Sequence, residues 1–313
     1  MNSLRQKLGK KLLSFFITRE LLFFIFQKKT YKTIIDKRIE KVLYGKKRLA
    51  RIIVPKLIVS LTSFPERIYE IKYTIFSLLD QKILPERIIL WLAVTQFSER
   101  ERDLPDDLLA LLRFNFEIRW YHDDIKSYKK LVPAIEQFHD YFIITADDDL
   151  YYHKNWLKEL WRTHLQHPND LVCHIAYHIR CDENGQVLPY QKWQHNITRS
   201  NFSFWFFPLC GGGAVFNTDL LFKDVCNKEL FMKLAPHADD MWFYFMAILN
   251  HTRIRVVPHL CSRVKYINPY REYNLIDQYK LADLNIGDNQ NDIQFRNLLE
   301  YYKINLNLLG NGR

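Results

Sequence analysis

The sequence predicts an α/β fold with a mostly parallel central sheet, and three observations support this prediction. Short apolar runs of strand type alternate with amphipathic segments of helical spacing from Lys56 onward. One apolar run stops abruptly at three consecutive carboxylates, Asp147, Asp148 and Asp149. The hydrophobic and charged fractions, 48% and 26%, are those of an ordinary globular protein. Since strands that alternate with helices build parallel sheets with right-handed crossovers, we expect one such sheet.

The elements before the acidic run follow from apolar patterning. Strands are predicted at Leu57–Leu61, Ile88–Leu92, Phe116–Trp120 and the run that starts at Phe142. Helices are predicted after Pro65, with Ile71, Ile75 and Leu78-Leu79 on one face, from Leu104-Pro105-Asp106-Asp107, and from Val132 to Phe138. In the second helix, proline in the first turn and acids at the positive end of the dipole favour a helix start.

The elements after the acidic run are less regular. We expect a helix at Trp156-Leu157-Leu160-Trp161, an alternating strand from Leu171 to Arg180, a turn at Asp182–Gly185, a glycine loop at Gly211–Gly213, a helix from Asp239 to about Leu249 and a strand from Ile254 to Val257. His174 and His178 share one strand face, but four residues of strand separate them by roughly 13 Å, too far to bind one metal ion together. From Asp283 onward the chain shows no strong signal.

The positive charge of the chain is confined to its N-terminal arm. The formal net charge is +10, but residues 1–51 carry +12 and the remainder carries −2. This asymmetry predicts a polyanionic partner for the arm alone. The five cysteines show no C-x-x-C spacing, which argues against a disulfide framework or a structural zinc site and fits a reducing compartment.

The arm has the pattern of a basic amphipathic helix lying in a membrane interface. Its predicted inserted edge consists of Phe15, Phe16, Phe23, Phe24 and Phe26. The apolar stretch from Leu12 to Phe26 is too short to span a bilayer and contains Arg19-Glu20 at its centre. The alternative is a helix packed on its own domain. Nucleic acid is not an expected partner, because the body of the chain has no basic excess. We therefore expect association with an anionic membrane surface on its cytoplasmic face.

The acidic run predicts a divalent-cation site. Ligands of open α/β sheets collect beyond the carboxyl ends of the strands, where Asp147, Asp148 and Asp149 would lie. A buried carboxylate is costly unless it is paired or bound to metal. Oxygen ligands suit Mg²⁺ or Mn²⁺, which also hold phosphate oxygens. The alternative is a solvated acidic turn before a helix near Asn155.

The order of these motifs resembles the GT-A fold glycosyltransferases, and most of all the bacterial family 2-type enzymes. The matching pieces are Ile58–Pro65, the D-x-D-like Asp147–Asp149, the Gly211–Gly213 loop and the Asp239-Asp240 helix start. The resemblance covers about Lys56 to Lys265. In one departure, the usual Glu-Asp pair is Asp-Asp here, which leaves the choice of base open.

The resemblance implies a nucleotide-sugar donor, here a UDP-sugar, and a glycan or lipid-linked acceptor. A divalent ion stabilises the departing diphosphate as a Lewis acid, and a carboxylate removes the proton of the acceptor hydroxyl. Asp149, with Asp147, would hold Mn²⁺ or Mg²⁺, and Asp148 or Asp147 would hold the ribose. Asp240 is expected to be the base, with Asp239 as the second candidate.

Further site candidates each have a structural alternative. Donor-binding candidates are Thr62, Phe64 and Arg67 after the first strand, Asp123 or Asp124 for uracil or ribose, and Lys129 or Lys130 for the diphosphate. Acceptor or sugar candidates are Gly211, Gly212, Gly213 and Trp242, and His259 is a candidate third metal ligand. The alternatives are a surface ion pair for Arg67, a helix cap for the aspartates, a plain turn for the glycines and buried core for the tryptophan.

The predicted organisation is a basic arm at residues 1–55, a GT-A domain at residues 56–282 and a C-terminal tail at residues 283–313. The predicted function is metal-dependent, inverting glycosyl transfer in cell-surface polysaccharide synthesis, by a hexosyl- or N-acetylhexosaminyltransferase. One alternative is a metal-dependent nucleotidyltransferase, which would be expected to show a glycine-rich basic loop where Thr62-Ser63-Phe64-Pro65 stands. The other is a non-catalytic, membrane-docked glycan-binding module.

Overall fold

The computed structural model describes residues 32–46, 49, 52–195, 197, 201–257, 264–268 and 289–309. Its helices are α1 (residues 32–43), α2 (Ile71–Leu79), α3 (Asp106–Leu109), α4 (Val132–Gln137), α5 (Trp156–Gln166), α6 (Lys228–Leu234), α7 (Asp239–Leu249) and α8 (Gln290–Tyr302). Its strands are β1 (Ile53–Thr62), β2 (Leu84–Ala93), β3 (Phe116–Tyr121), β4 (Phe142–Thr145), β5 (Leu150–Tyr152), β6 (Asp170–Cys173), β7 (Ala176–His178), β8 (Asn201–Ser203), β9 (Phe206–Pro208), β10 (Val215–Phe216), β11 (Arg253–Val256) and β12 (Val264–Tyr266).

The chain divides into two compact units, one of residues 1–48 with 266–277 and one of residues 49–265 with 278–313. In the first unit, α1 buries Ile35, Ile39 and Val42, which recur at helical spacing. The phenylalanines predicted to enter the membrane lie outside the described residues. Within the part of the chain that is described, no helix has the length and apolar character needed to cross a membrane.

The second unit is built on a five-stranded sheet of order β10-β4-β1-β2-β3. Strands β4, β1, β2 and β3 run parallel, and β10 is antiparallel to β4. Central strand β1 is buried on both faces from Leu57 to Leu61, as expected for a parallel strand covered by helices. The predicted α/β class with a mostly parallel sheet is therefore confirmed. Register pairs Ser60 of β1 with Thr145 of β4, so the carboxyl ends of these strands meet at one edge.

The predicted strand from Leu171 to Arg180 is divided in two. Strand β6 joins a three-stranded sheet of order β6-β11-β8, whereas β7 pairs with β9. The interruption falls at His174, whose backbone N–H donates to the Gly213 carbonyl, and at Ile175, whose carbonyl accepts from Leu209. Backbone groups of His174 and Ile175 therefore bond to the glycine loop and to the segment before it, and a single continuous strand does not form.

Helix α8 lies in the segment for which the sequence showed no signal. Its buried face combines two polar residues, Asn291 and Gln294, with two apolar ones, Phe295 and Leu298, so it lacks a continuous apolar stripe. The Phe295 ring packs 5.1 Å from Phe245 of α7. The helix therefore contributes to the core that supports α7.

Helix α2 anchors the backbone of the acidic run. The Thr74 hydroxyl is buried and lies 2.9 Å from the Asp148 carbonyl and 2.8 Å from the Leu150 carbonyl. One side chain of α2 therefore holds the backbone on both sides of Asp149.

Replacing Thr74 with valine is expected to lower the free energy of unfolding by about 1–3 kcal/mol, because it removes the donor that two buried carbonyls share. Chemical denaturation measures this loss. Thr163→Val is the matched control. The Thr163 hydroxyl donates to Glu159 four residues earlier in its own helix, where that carbonyl keeps its backbone donor. Equal losses in the two variants would contradict the anchoring role of Thr74.

Candidate active site

The three consecutive aspartates divide into two buried side chains and one that is partly exposed. The carboxylate of Asp148 accepts from Ser63 Oγ at 2.6 Å and from Arg67 Nη1 at 2.8 Å. Arg67 Nη1 also lies 3.1 Å from Asp149 Oδ2. The side chain of Asp147 is 38% exposed, whereas those of Asp148 and Asp149 are nearly covered. Asp147 is therefore the member of the run that a ligand can reach most directly.

Lys130 lies at the centre of the site. It ends the 3-10 turn Lys126–Lys130, and only 5% of the residue is exposed. Its Nζ lies 2.6 Å from Asp147 Oδ1 and 3.2 Å from Asp239 Oδ2. Burial disfavours the charged form, but the carboxylates of Asp147, Asp239 and Asp240 outweigh burial and raise the Lys130 pKa well above its ordinary value. The ammonium group thus links the end of β4 to the start of α7.

Asp240 has the pKa that a general base needs. Burial, and then the adjacent charge of Asp239, raise the pKa of Asp240 to about 7, although Lys130 opposes this shift. The Cys210 backbone N–H donates to Asp240 Oδ1 at 3.2 Å and fixes the direction of the carboxylate. A carboxyl group with a pKa near the working pH is suited to accept and release a proton.

Asp239 and Asp240 form the first turn of α7, where the helix dipole favours negative charge. The buried Oδ2 of Asp239 has no hydrogen-bond donor in suitable geometry, although Lys130 is close enough for an ion pair. Even if Asp240 carries a proton, Asp147 and Asp239 oppose one ammonium group. The cluster therefore carries excess negative charge.

The glycine loop serves contacts within the protein. A Cβ atom on Gly211 would lie 1.8 Å from Asp147 Oδ2, so the carboxylate can occupy its position only against a glycine. Tyr152 OH accepts from the Asp147 N–H at 2.8 Å and donates to the Gly211 carbonyl at 2.6 Å. The loop and the acidic run are thereby held together.

The other two glycines face protein side chains as well. A Cβ on Gly212 would lie 2.7 Å from Ile175, and one on Gly213 would lie 2.6 Å from Trp156 Nε1. Gly213 also has φ of +113°, which L-residues rarely adopt. Packing and backbone conformation by themselves require glycine at these positions, so an approach to a sugar is not needed to explain them.

The donor-side candidates after β1 are placed beside the acidic run. Thr62 donates its hydroxyl to the Trp91 carbonyl at 2.8 Å, which ties it to β2. The guanidinium of Arg67 lies 5.1 Å from the centre of the Phe64 ring while it pairs with the aspartates. Since Ser63 and Arg67 occupy both oxygens of Asp148, this arrangement does not present Asp148 to a ribose.

Asp123 and Lys129 lie away from the carboxylate cluster. Asp123 forms an exposed ion pair with Lys228. Lys129 is buried and pairs with Asp124, which also accepts from Gln96 at 3.0 Å. Lys130, the neighbour of Lys129, is thus the lysine that reaches the acids, and the sequence had no signal that could distinguish the two.

Two further candidates do not contribute to the described site. Trp242 is fully buried and donates its indole N–H to the Val225 carbonyl at 2.9 Å, so its ring presents no face to a sugar and belongs to the core. His259 lies outside the described residues. Sequence reasoning also missed Ser63, Tyr152 and Cys210, because their roles depend on contacts between distant segments.

The carboxylates fit a divalent cation that is shared with a substrate. Within the described ranges, no three acidic, histidine or cysteine side chains are grouped to hold a metal ion on their own. Mg²⁺ is commonly bound by one or two carboxylates together with substrate phosphates, and needs no third protein ligand. The partly exposed side chain of Asp147, with Asp149 two residues later and the excess negative charge of the cluster, fits that requirement.

Comparisons with known proteins bear on this site. Residues 129–223 match the family model of glycosyl transferase family 2. No curated protein matches the sequence. Among solved structures, the crystal structure of S. aureus TarS residues 1–349 shares 16% sequence identity with a TM-score of 0.42, and the match covers 80% of this chain and 72% of that one. This likeness is too distant to assign a function.

The matched segment contains Lys130, the acidic run and the glycine loop, and it ends before Asp239. Its boundaries therefore include one part of the carboxylate cluster, Lys130 with Asp147, but not the Asp239-Asp240 pair of α7. The resemblance to family 2 glycosyltransferases that the sequence motifs predict is confirmed: residues 129–223 of this chain match glycosyl transferase family 2.

Proposed function

We propose that this protein is a metal-dependent, inverting glycosyltransferase that moves a sugar from a nucleotide-diphosphate sugar, a UDP-sugar, to a glycan or lipid-linked acceptor in cell-surface polysaccharide synthesis. The observation that carries the proposal is the meeting of Asp147, at the end of β4, with Asp239 and Asp240, at the start of α7, around Lys130. The match of residues 129–223 to glycosyl transferase family 2 supports the same reaction class.

The donor side of the reaction is assigned to the end of β4. Asp147, with Asp149, would hold Mn²⁺ or Mg²⁺, and Arg67 orients Asp149 from the side of β1. A divalent ion bound there would supply Lewis-acid stabilisation of the departing diphosphate. Asp147 is the more accessible ligand, because 38% of its side chain is exposed against 10% for Asp149.

The acceptor side is assigned to the start of α7. Asp240 would take the proton of the attacking hydroxyl, and the Cys210 N–H holds its carboxylate in one orientation. A base placed opposite the departing diphosphate implies single displacement, so the anomeric configuration of the transferred sugar inverts. Asp239 shares a contact with Lys130 and raises the pKa of Asp240, which supports Asp240 over Asp239 as the base.

The arm is proposed to hold the enzyme at the cytoplasmic face of an anionic membrane, close to lipid-linked acceptors. The net charge of +12 on residues 1–51 supports this role. Each lysine or arginine near such a surface contributes about 1 kcal/mol of binding free energy, and salt screens this attraction.

Donor binding is expected to require a divalent ion. In a thermal-shift screen of nucleotide-diphosphate sugars, one donor should raise the melting temperature with Mn²⁺ and lose that effect in EDTA, because a ligand stabilises the folded state by mass action. Asp147→Asn should abolish the Mn²⁺-dependent part. Asp107→Asn, at an exposed ion pair with Lys72, should preserve it. An identical shift in EDTA would overturn the metal assignment, and no shift with any donor would overturn the proposed function.

Turnover of that donor should depend on the ionisation of Asp240. Activity should rise with pH through about 7, because the base works only when it is deprotonated. Asp240→Asn should lower kcat by about 10²–10⁴-fold while the thermal shift with donor survives. Proton NMR of the product should show inverted anomeric configuration.

Asp219→Asn, an exposed aspartate outside the site, is the control for this experiment and should retain full activity. Loss of activity in Asp239→Asn instead of Asp240→Asn would identify Asp239 as the base. A product that keeps the donor's configuration would show that the inverting mechanism is wrong.

Membrane association is expected to reside in the arm. The full chain should sediment with liposomes that contain anionic lipid at low salt and be released at high salt, whereas a chain starting at Pro55 should stay in solution and still act on water-soluble acceptors. Neutral liposomes are the control. Equal sedimentation of both chains would assign membrane binding to another surface.

A further inference from the structure

Lys130 is buried where a charge is most costly. Its side chain is 6% exposed, and it meets the carboxylates of two separate elements, Asp147 after β4 and Asp239 in α7. A buried ammonium group without partners would lose its proton or unfold the site. Here two carboxylates lie within ion-pair distance of its Nζ, Asp147 at 2.6 Å and Asp239 at 3.2 Å.

Among the described residues, four titratable side chains that face this cluster from other elements are neutral near pH 7. Burial, together with nearby carboxylates, raises the pKa values of Tyr128 on the 3-10 turn, Tyr152 on β5 and Cys210 in the glycine loop. Tyr190, whose pKa is raised by burial and then by Tyr177 and Asp240, faces the cluster from the irregular segment. Within the described part of the chain, the charge of Lys130 therefore balances the carboxylates of Asp147 and Asp239, which these neutral groups do not neutralise.

We propose that Lys130 is a positioning residue that acts as the internal counter-ion of the site, where its ammonium group holds the donor-side carboxylate of Asp147 and the base-side pair Asp239-Asp240 in one cluster. This inference rests on the proposed function insofar as it names a donor side and a base side. The charge balance itself is a property of the folded protein and requires no substrate.

Removal of the positive charge should make stability depend more steeply on pH. Lys130 lowers the pKa of Asp240, so its loss raises that pKa further above the value in the unfolded chain. A carboxyl group whose pKa is higher in the folded state binds more protons there, so the stability of the folded state falls as pH rises. The deficit of a Lys130→Met variant should therefore grow between pH 5 and pH 8.

The experiment compares melting temperatures from pH 5 to pH 8 for the full-length wild type and its variants, without ligand. Lys130→Met should show a deficit that grows by several degrees over this range. Lys130→Arg, which keeps the charge, should give a curve parallel to that of the wild type. Lys72→Met, which breaks an ion pair with exposed Asp107, should show a small deficit that varies little with pH.

Charge rescue separates the counter-ion role from simple packing. In the Lys130→Met background, Asp239→Asn should raise the melting temperature at pH 8, because it removes one of the uncompensated carboxylates. Asp107→Asn in the same background should not. If Lys130→Met does not fold, the two double variants still decide, since only the one with Asp239→Asn should then fold.

A deficit that is equal at all pH values, or no rescue by Asp239→Asn, would overturn the proposal. These outcomes are distinct from a failure of the proposed function. If the protein binds no nucleotide sugar but shows charge rescue, the counter-ion role of Lys130 stands and the glycosyltransferase assignment is wrong. If the enzyme is active but shows no rescue, only the counter-ion role is wrong.

Discussion

The buried ion pairs of Lys130 determine where the other parts of the site can lie. Its ammonium group needs carboxylates within contact distance, and it finds them on β4 and α7. The 3-10 turn that carries Lys130, the end of β4 and the start of α7 must therefore stay together in the folded state. The carboxylates that we propose for the donor side, Asp147, and for the acceptor side, Asp240, are brought into one cluster by this constraint.

A second set of contacts places the three consecutive aspartates in different environments. Ser63 and Arg67 occupy Asp148, Arg67 also holds Asp149, and Thr74 fixes the backbone between them. The neighbouring Asp147 is partly exposed, and its carboxylate lies against Gly211, where the absence of a side chain leaves room for it. A run of like charges is tolerated because every member has a cationic partner: Lys130 pairs with Asp147, and the Arg67 guanidinium pairs with both Asp148 and Asp149.

Much of the fold could be predicted from apolar patterning, and the misses have physical causes. Strand β1 and helix α2 carry continuous apolar signals, and both are observed close to the predicted positions. The strand from Leu171 to Arg180 was expected to be continuous, but the hydrogen bonds of its middle residues go to the glycine loop and the segment before it. Helix α8 was missed because its buried face includes Asn291 and Gln294, whose partners a sequence does not reveal.

The sequence by itself determined which residue types could form the site: a strand that ends in carboxylates, a glycine loop and a helix that starts with two aspartates. These features depend on local order along the chain, where periodicity and charge are visible. Tertiary structure alone decided which side chains meet. In the tertiary structure, Lys130 rather than Lys129 lies among the acids, Trp242 is buried in the core, and Gly211 leaves room for the Asp147 carboxylate. Such choices depend on distances between segments far apart in sequence, because the cost of burying a charge is set by its neighbours in space.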